Sequence, residues 1–206
     1  SDIFGNYPFE TYGSLVLDTE VGTALEAQTL SIYGVDQLDL ENMPSAEQLA
    51  AHELAHQWFG DSVSLADWGD IWLNEGFATY AEGLWIEHTE GVEALDEWVK
   101  DTYGYVVEAG NESVPPGEPP ADDLFNEGVY YRGALALHAL RLEVGDEVFF
   151  DILRTYYDRF QDSNVRTGDF IAVAEEVSGQ ELDAFFDSWL YGEEMPPIPA
   201  LGLKVE

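Results

Sequence analysis

The sequence predicts an α+β fold with a helical majority. Three observations carry that expectation. Strand-like apolar runs are confined to the first 33 residues. Helical spacing of apolar residues then recurs from residue 45 to residue 190. One Gly/Pro-rich stretch, 110–120, interrupts the helical part.

In chain order, residues 14–18 (SLVLD) and 28–33 (QTLSIY) read as strands, with Gly22 marking a turn between them. Ser45 with Gln48 three residues later is a capping-box start for a helix that runs to Phe59, and Gly60 is its stop. Further helices are expected at 71–88, 91–107, 130–144, 146–161, 168–178 and 181–190. Residues 195–203 hold three prolines and read as extended. The expected organisation is a single domain, 1–206. A mixed front lobe (1–109) is separated by the 110–120 loop from a helical back lobe (121–206). Asn111-Glu112-Ser113 matches a glycosylation sequon, and a chance match in a loop is the favoured reading.

Composition narrows the function. The 206 residues include 42 Asp+Glu, 7 Lys+Arg and no Cys, for a net charge of −35. Disulfides, thiolate metal sites and a cysteine nucleophile are excluded. Phosphates repel such a surface, so neither nucleic acid nor an anionic membrane is an expected partner. No apolar run approaches the length of a membrane helix. Aromatic residues at 14% argue for a packed core and against an acidic disordered chain. The start, Ser1 to Gly5, has no leader pattern, as expected of a piece cut from a longer chain; localisation is left open.

Chemistry concentrates in His52-Glu53-Leu54-Ala55-His56. Residues four apart on a helix share a face, so both imidazoles reach one metal ion. Glu53 is then placed as a general base for a water on that ion. A catalytic zinc site needs a third protein ligand, and Asn74-Glu75-Gly76-Phe77-Ala78 offers one. Eighteen residues, 57–74, lie between His56 and Glu75. That is room for the helix to end, a loop to form and a return helix to bring Glu75 opposite the histidines. Such a His₂Glu set leaves Zn²⁺ net positive and able to acidify water.

HELAHQWFGD at 52–61 and WLNEGFATYAE at 72–82 resemble the zinc segment of the aminopeptidase N family of gluzincins, which also includes leukotriene hydrolase. The resemblance covers nearly the whole chain and only the family's catalytic domain. It implies a thermolysin-like zinc metallopeptidase catalytic domain with a small N-terminal β segment, a helical back lobe and flanking domains in the full-length protein. The family's Gly-Ala-Met-Glu-Asn loop is matched by Thr23-Ala24-Leu25-Glu26-Ala27, which keeps Ala24 and Glu26. Both inherit a substrate-binding role by resemblance, Glu26 as the group that binds the free α-amino end. Without the resemblance Glu26 is one surface acid among many. Val129-Tyr130-Tyr131-Arg132-Gly133 matches a family motif whose tyrosine donates to the oxyanion, with Arg for Lys. Alignment assigns that role to Tyr130, with Tyr131 as the alternative one register away.

The implied activity is aminopeptidase action on peptides with a free N-terminus, with one Zn²⁺ held by His52, His56 and Glu75, Glu53 as base and Tyr130 as oxyanion donor. Two other readings stand beside it. One is a zinc endopeptidase with an open cleft, and the other a non-catalytic zinc-binding domain of a larger protein. Asp70 and Thr79 are candidate outer partners of the ligands, with ordinary helix and cap roles as the alternative. Trp58, Trp68, Trp72 and Trp85 are expected in the core, and His88 and His138 to be satisfied or solvent-facing. The acid excess, with Lys only at 100 and 204, fits adaptation to high salt, where like-charge repulsion is screened.

Overall fold

The computed structural model describes residues 3–38, 43–110 and 114–204. The sequon at 111–113 lies outside the described residues. The chain opens with three short strands, β1 (Gly13–Leu17), β2 (Ala24–Leu25) and β3 (Leu30–Gly34). Strand β3 is central, parallel to β1 and antiparallel to β2. The turn at Gly22 therefore leads into β2, a two-residue edge strand too short to show as alternation, and only then into β3. Asp36 holds this turn, its carboxylate accepting the Val21 and Gly22 N–H groups at 3.0 and 2.9 Å.

Helix α1 spans Met43–Ala55. It begins two residues before the expected cap, so Ser45 lies inside its first turn. Pro44 explains the earlier start, because its fixed φ and missing N–H suit that position. The helix also ends sooner than Phe59. The His56 N–H still donates to His52 O at 3.3 Å, and the chain then tightens through turns to Gly60, whose φ of +139° suits glycine. A parallel pair, β4 (Val63–Leu65) and β5 (Ser163–Val165), follows. Neither strand is expected from sequence; each has three residues and pairs with a partner far along the chain.

Helix α2 (Trp72–Glu90) packs against α1, against α3 (Val92–Ala109) and against α4 (Gly133–Val144). Gly76 makes the α4 contact possible. A Cβ there would sit 3.0 Å from the Gly133 backbone, so the two helices meet with no side chain between them. A π-helical turn, Gly128–Arg132, leads into α4. Then come α5 (Asp146–Phe160), α6 (Thr167–Ser178), α7 (Asp183–Phe186) and a second π-helical turn, Asp187–Tyr191. The tail is not simply extended: Ile198 bridges to Leu203 around a 3₁₀ turn at Pro199–Leu201.

The core is aromatic at its centre. Phe77 of α2 packs on Phe59 at 4.6 Å and on Phe170 of α6 at 5.1 Å, and Tyr156 of α5 lies 5.1 Å from Phe170. Trp58 and Trp72 are buried as expected, whereas Trp68 and Trp85 are exposed. The tryptophans share a sequence neighbourhood but not a helix face. His138 is buried with Nδ1 3.2 Å from the Tyr80 hydroxyl. Arg132 is buried with no carboxylate partner among the described residues. Its guanidinium donates to the carbonyls of Trp189, Ser188 and Gly192 at 2.8, 2.9 and 2.6 Å, closing the end of the second π-helical turn with a positive charge.

Candidate metal centre

The end of α1 and the first turn of α2 bring His52, His56 and Glu75 together. One ligand atom from each lies within 4.8 Å of the other two, and all three residues are buried. Glu75 Oε2 is 3.5 Å from His52 Nε2 and 3.4 Å from His56 Nε2. Each imidazole is fixed through its other nitrogen. His52 Nδ1 donates to Glu82 Oε1 at 2.7 Å and His56 Nδ1 to the Phe59 carbonyl at 3.2 Å. Both partners are pure acceptors, so a proton belongs on each Nδ1, and each Nε2 is turned toward Glu75. Two neutral imidazoles and a carboxylate sharing one small space fit a single divalent ion.

Electrostatics agree. Burial works against charge at Glu75, yet hydrogen bonding to His52 and His56 outweighs it and holds the carboxyl down at about 2. Burial also works against charge on His52, but Glu75 and Glu82 overcome it and push the imidazole up to about 10. The cluster thus favours a cation between its members, a shared proton or a metal ion. Glu53 differs. Burial pushes its carboxyl up to about 7 against the pull of His56 and His52, and its Oε2 has no hydrogen-bond partner among the described residues. A buried carboxylate oxygen without a protein donor leaves a place for water or substrate.

The other expected residues fall as follows. Ala24 lies in edge strand β2 opposite Tyr33, and Glu26 comes directly after that strand. The Glu26 carboxylate raises Glu53 and Asp61 by repulsion, so its charge reaches the cluster. Tyr130, in the first π-helical turn, stacks beside His52 with ring centroids 6.2 Å apart. Burial and then the charges of Glu75, Glu26 and Glu53 raise its phenol, which stays protonated and able to donate. Tyr131 instead packs edge-on against Tyr105 at 5.3 Å. Asp70 is not at the cluster; it caps α6, accepting the Thr167 N–H and hydroxyl at 3.0 and 2.7 Å. Thr79 is buried with no partner for its hydroxyl among the described residues. The residue missed from sequence is Glu82. It sits seven positions after Glu75, two helical turns on the same face, and that spacing was the available signal. An apolar cavity of about 420 Å³ between α1 and α2 includes Leu54, Trp58 and Trp85 and none of the three ligands.

A buried His₂Glu cluster, beside a buried carboxylate one oxygen of which has no partner among the described residues, defines a mononuclear metallohydrolase centre. The peptidase family M1 domain matches residues 1–189, and the chain belongs to that family. It is 32% identical over 203 residues to aminopeptidase N of Streptomyces lividans, covering 89% of this chain and 23% of that protein. Aminopeptidase N of Lactococcus lactis is 31% identical, over 97% of this chain and 25% of that protein. The chain thus spans about a quarter of the length of these curated relatives. An M1 zinc metallopeptidase from Deinococcus radiodurans, a mutant solved with a Tyr-Ser-Ala substrate, superposes with a TM-score of 0.85 at 38% identity, over 96% of this chain and 43% of that one. Leukotriene A4 hydrolase from Saccharomyces cerevisiae shares the fold, with a TM-score of 0.81 at 24% identity over 96% of this chain and 34% of that one.

Proposed function

We propose that the chain is the catalytic domain of a zinc-dependent aminopeptidase that hydrolyses the first peptide bond of peptides with a free N-terminus. It has a thermolysin-like layout, in which a mixed front lobe (1–109) and a helical back lobe (121–206) form one peptidase domain. The observation that carries the reading is the convergence of His52, His56 and Glu75 within 4.8 Å, with the buried Glu53 next to His52 and its Oε2 without a partner among the described residues. The names of the relatives support the substrate class. Their greater length supports flanking domains that complete the cleft.

Zinc held by the two imidazoles and Glu75 would supply a Lewis acid that polarises a carbonyl and acidifies water. Glu53 takes one proton from the attacking water and delivers it to the leaving amine as the C–N bond breaks. Burial suits it to this exchange, because a carboxyl raised to about 7 gives up and regains a proton near neutral pH. Tyr130 donates its phenolic proton in a hydrogen bond to the oxygen on which negative charge develops. Glu26 pairs with the substrate ammonium and so sets which bond reaches Glu53. The combined negative charge of Glu26, Glu53, Asp61 and Glu75 draws cationic N-termini toward the site.

The test compares an unblocked peptide with its N-acetylated form, with and without a chelator. Single residues released only from the unblocked peptide, and only without chelator, are the expected result. Equal rates for both peptides would remove the exopeptidase assignment in favour of the endopeptidase. Turnover equal in the parent and in Glu53→Gln would favour a non-catalytic zinc-binding domain.

A further inference from the structure

Glu26 lies on a segment held in a costly conformation. The turn that follows it, Ala27–Leu30, is closed by the Leu30 N–H donating to Ala27 O at 2.8 Å. Its third residue, Thr29, has a φ of +66°. Turns with positive φ at that position use Gly or Asn, and a β-branched residue there is a steric outlier. Such conformations carry steric strain and persist only where the surroundings over-determine them.

Gln57 supplies much of that determination. It is next in sequence to His56 and fully buried. Its Oε1 accepts the Thr29 N–H at 2.7 Å and the Tyr7 hydroxyl at 3.4 Å. On the other side of the same residue, Thr29 O accepts the Gly13 N–H at 3.0 Å. The Gln57 Nε2 is buried without a partner among the described residues, so this amide is placed for its oxygen alone. A residue kept in the interior at the cost of an unsatisfied N–H needs an explanation beyond packing.

We propose that Gln57 is a positioning residue: its buried hydrogen bond to the strained Thr29 turn fixes Glu26 relative to the metal-ligand histidines and thereby enforces recognition of a free amino end. This rests on the aminopeptidase reading with Glu26 as the amine-binding group. His56 and Gln57 are consecutive, so one short stretch of backbone carries both a metal ligand and the clamp on the recognition turn. The separation between metal and ammonium site, which decides where the chain is cut, is then set by one hydrogen bond.

The experiment uses the 206-residue chain and reads the ratio of kcat/KM for an unblocked peptide to that for its N-acetylated form, together with metal content. Gln57→Leu should lower the ratio about tenfold, mostly through a higher KM for the unblocked peptide, with metal content unchanged. The second variant, Gln57→Leu with Thr29→Gly, should recover much of the ratio, because glycine holds a positive φ without a clamp. A general loss of packing would not be rescued in this way. An unchanged ratio in Gln57→Leu overturns the proposal. So does loss of metal, which would mean that the residue acts through His56. A parent that does not prefer unblocked peptides removes the aminopeptidase reading itself, and this inference with it. A parent with the preference and an unaffected variant removes this inference alone.

Discussion

The α1–α2 pair and the β1–β3–β2 sheet both feed the candidate site, and they are held in place by different means. On the helix pair every ligand is buried, each histidine is fixed through its second nitrogen, and the donors lie at the end of α1, just after it and in the first turn of α2. On the sheet, Glu26 follows a two-residue edge strand whose Leu25 is exposed, as are Leu15 and Val16 of β1. What steadies Glu26 is a strained turn and one buried amide, not helical geometry. The metal cluster is thus built from short-range regularity, and the proposed recognition site from long-range contacts to one turn. The two should fail independently.

The largest effect should come from the helix side. Glu53→Gln keeps the shape and removes the base, and kcat should fall by about 10²–10⁴. KM for an unblocked peptide and metal content should stay close to the parent's. A large rise in KM instead would mean that Glu53 binds substrate, and the separation of roles between the two regions would break.

Glu82→Gln tests how firmly the helix side is held. The neutral amide accepts a weaker hydrogen bond from His52 Nδ1, and outer-partner losses of this kind cost about 10–100-fold in metal affinity. Competition against a chelator of known affinity measures this. Unchanged affinity would show that α2 alone fixes the imidazole.

Glu26→Gln makes the reciprocal break on the sheet side. Under the proposed role of Glu26, losing its charge should raise KM for unblocked peptides by about tenfold, with kcat and metal content little changed. N-acetylated peptides should be unaffected. If both substrates weaken together, Glu26 acts through the field at Glu53 and not through an amine contact.

The same division explains what the sequence made legible. His52, His56 and Glu75 were readable because helical spacing converts directly into a shared face, and the 18 intervening residues could only form a turn-back. Helices α2 to α6 were readable within about two residues for the same reason. Gln57 was not, since its importance depends on Thr29, reached only once β3 is in place. Strands β4 and β5 escaped because three residues carry no periodicity and Val63 pairs with Ser163. The π-helical turn under Tyr130 escaped because it continues the apolar spacing of α4. Trp68 and Trp85 were misjudged by composition, which does not say which side of a turn or helix an aromatic occupies.

The smallest expected effect concerns the charges that neither region uses. At the metal cluster, the Glu75 carboxylate lies within 3.5 Å of both histidines. Elsewhere charge compensation is sparse. Arg141 pairs with Glu87 and Asp146, Arg159 with Glu176 and Arg154 with Asp151, while Arg132 spends its charge on backbone carbonyls. With 42 acids against 7 bases, the surface repels itself at low ionic strength. At 1 M salt the Debye length contracts to about 3 Å, and repulsion between exposed carboxylates is largely screened. The melting temperature should therefore rise between 0.1 and 1 M KCl, by about 2–4 °C for each kcal/mol of repulsion removed. Zinc affinity should change little over the same range, because short buried pairs are screened far less than exposed ones. A melting temperature that does not move would remove the high-salt adaptation. A metal affinity that falls in step with salt would mean that the cluster draws its charge balance from the surface and not from its own histidines.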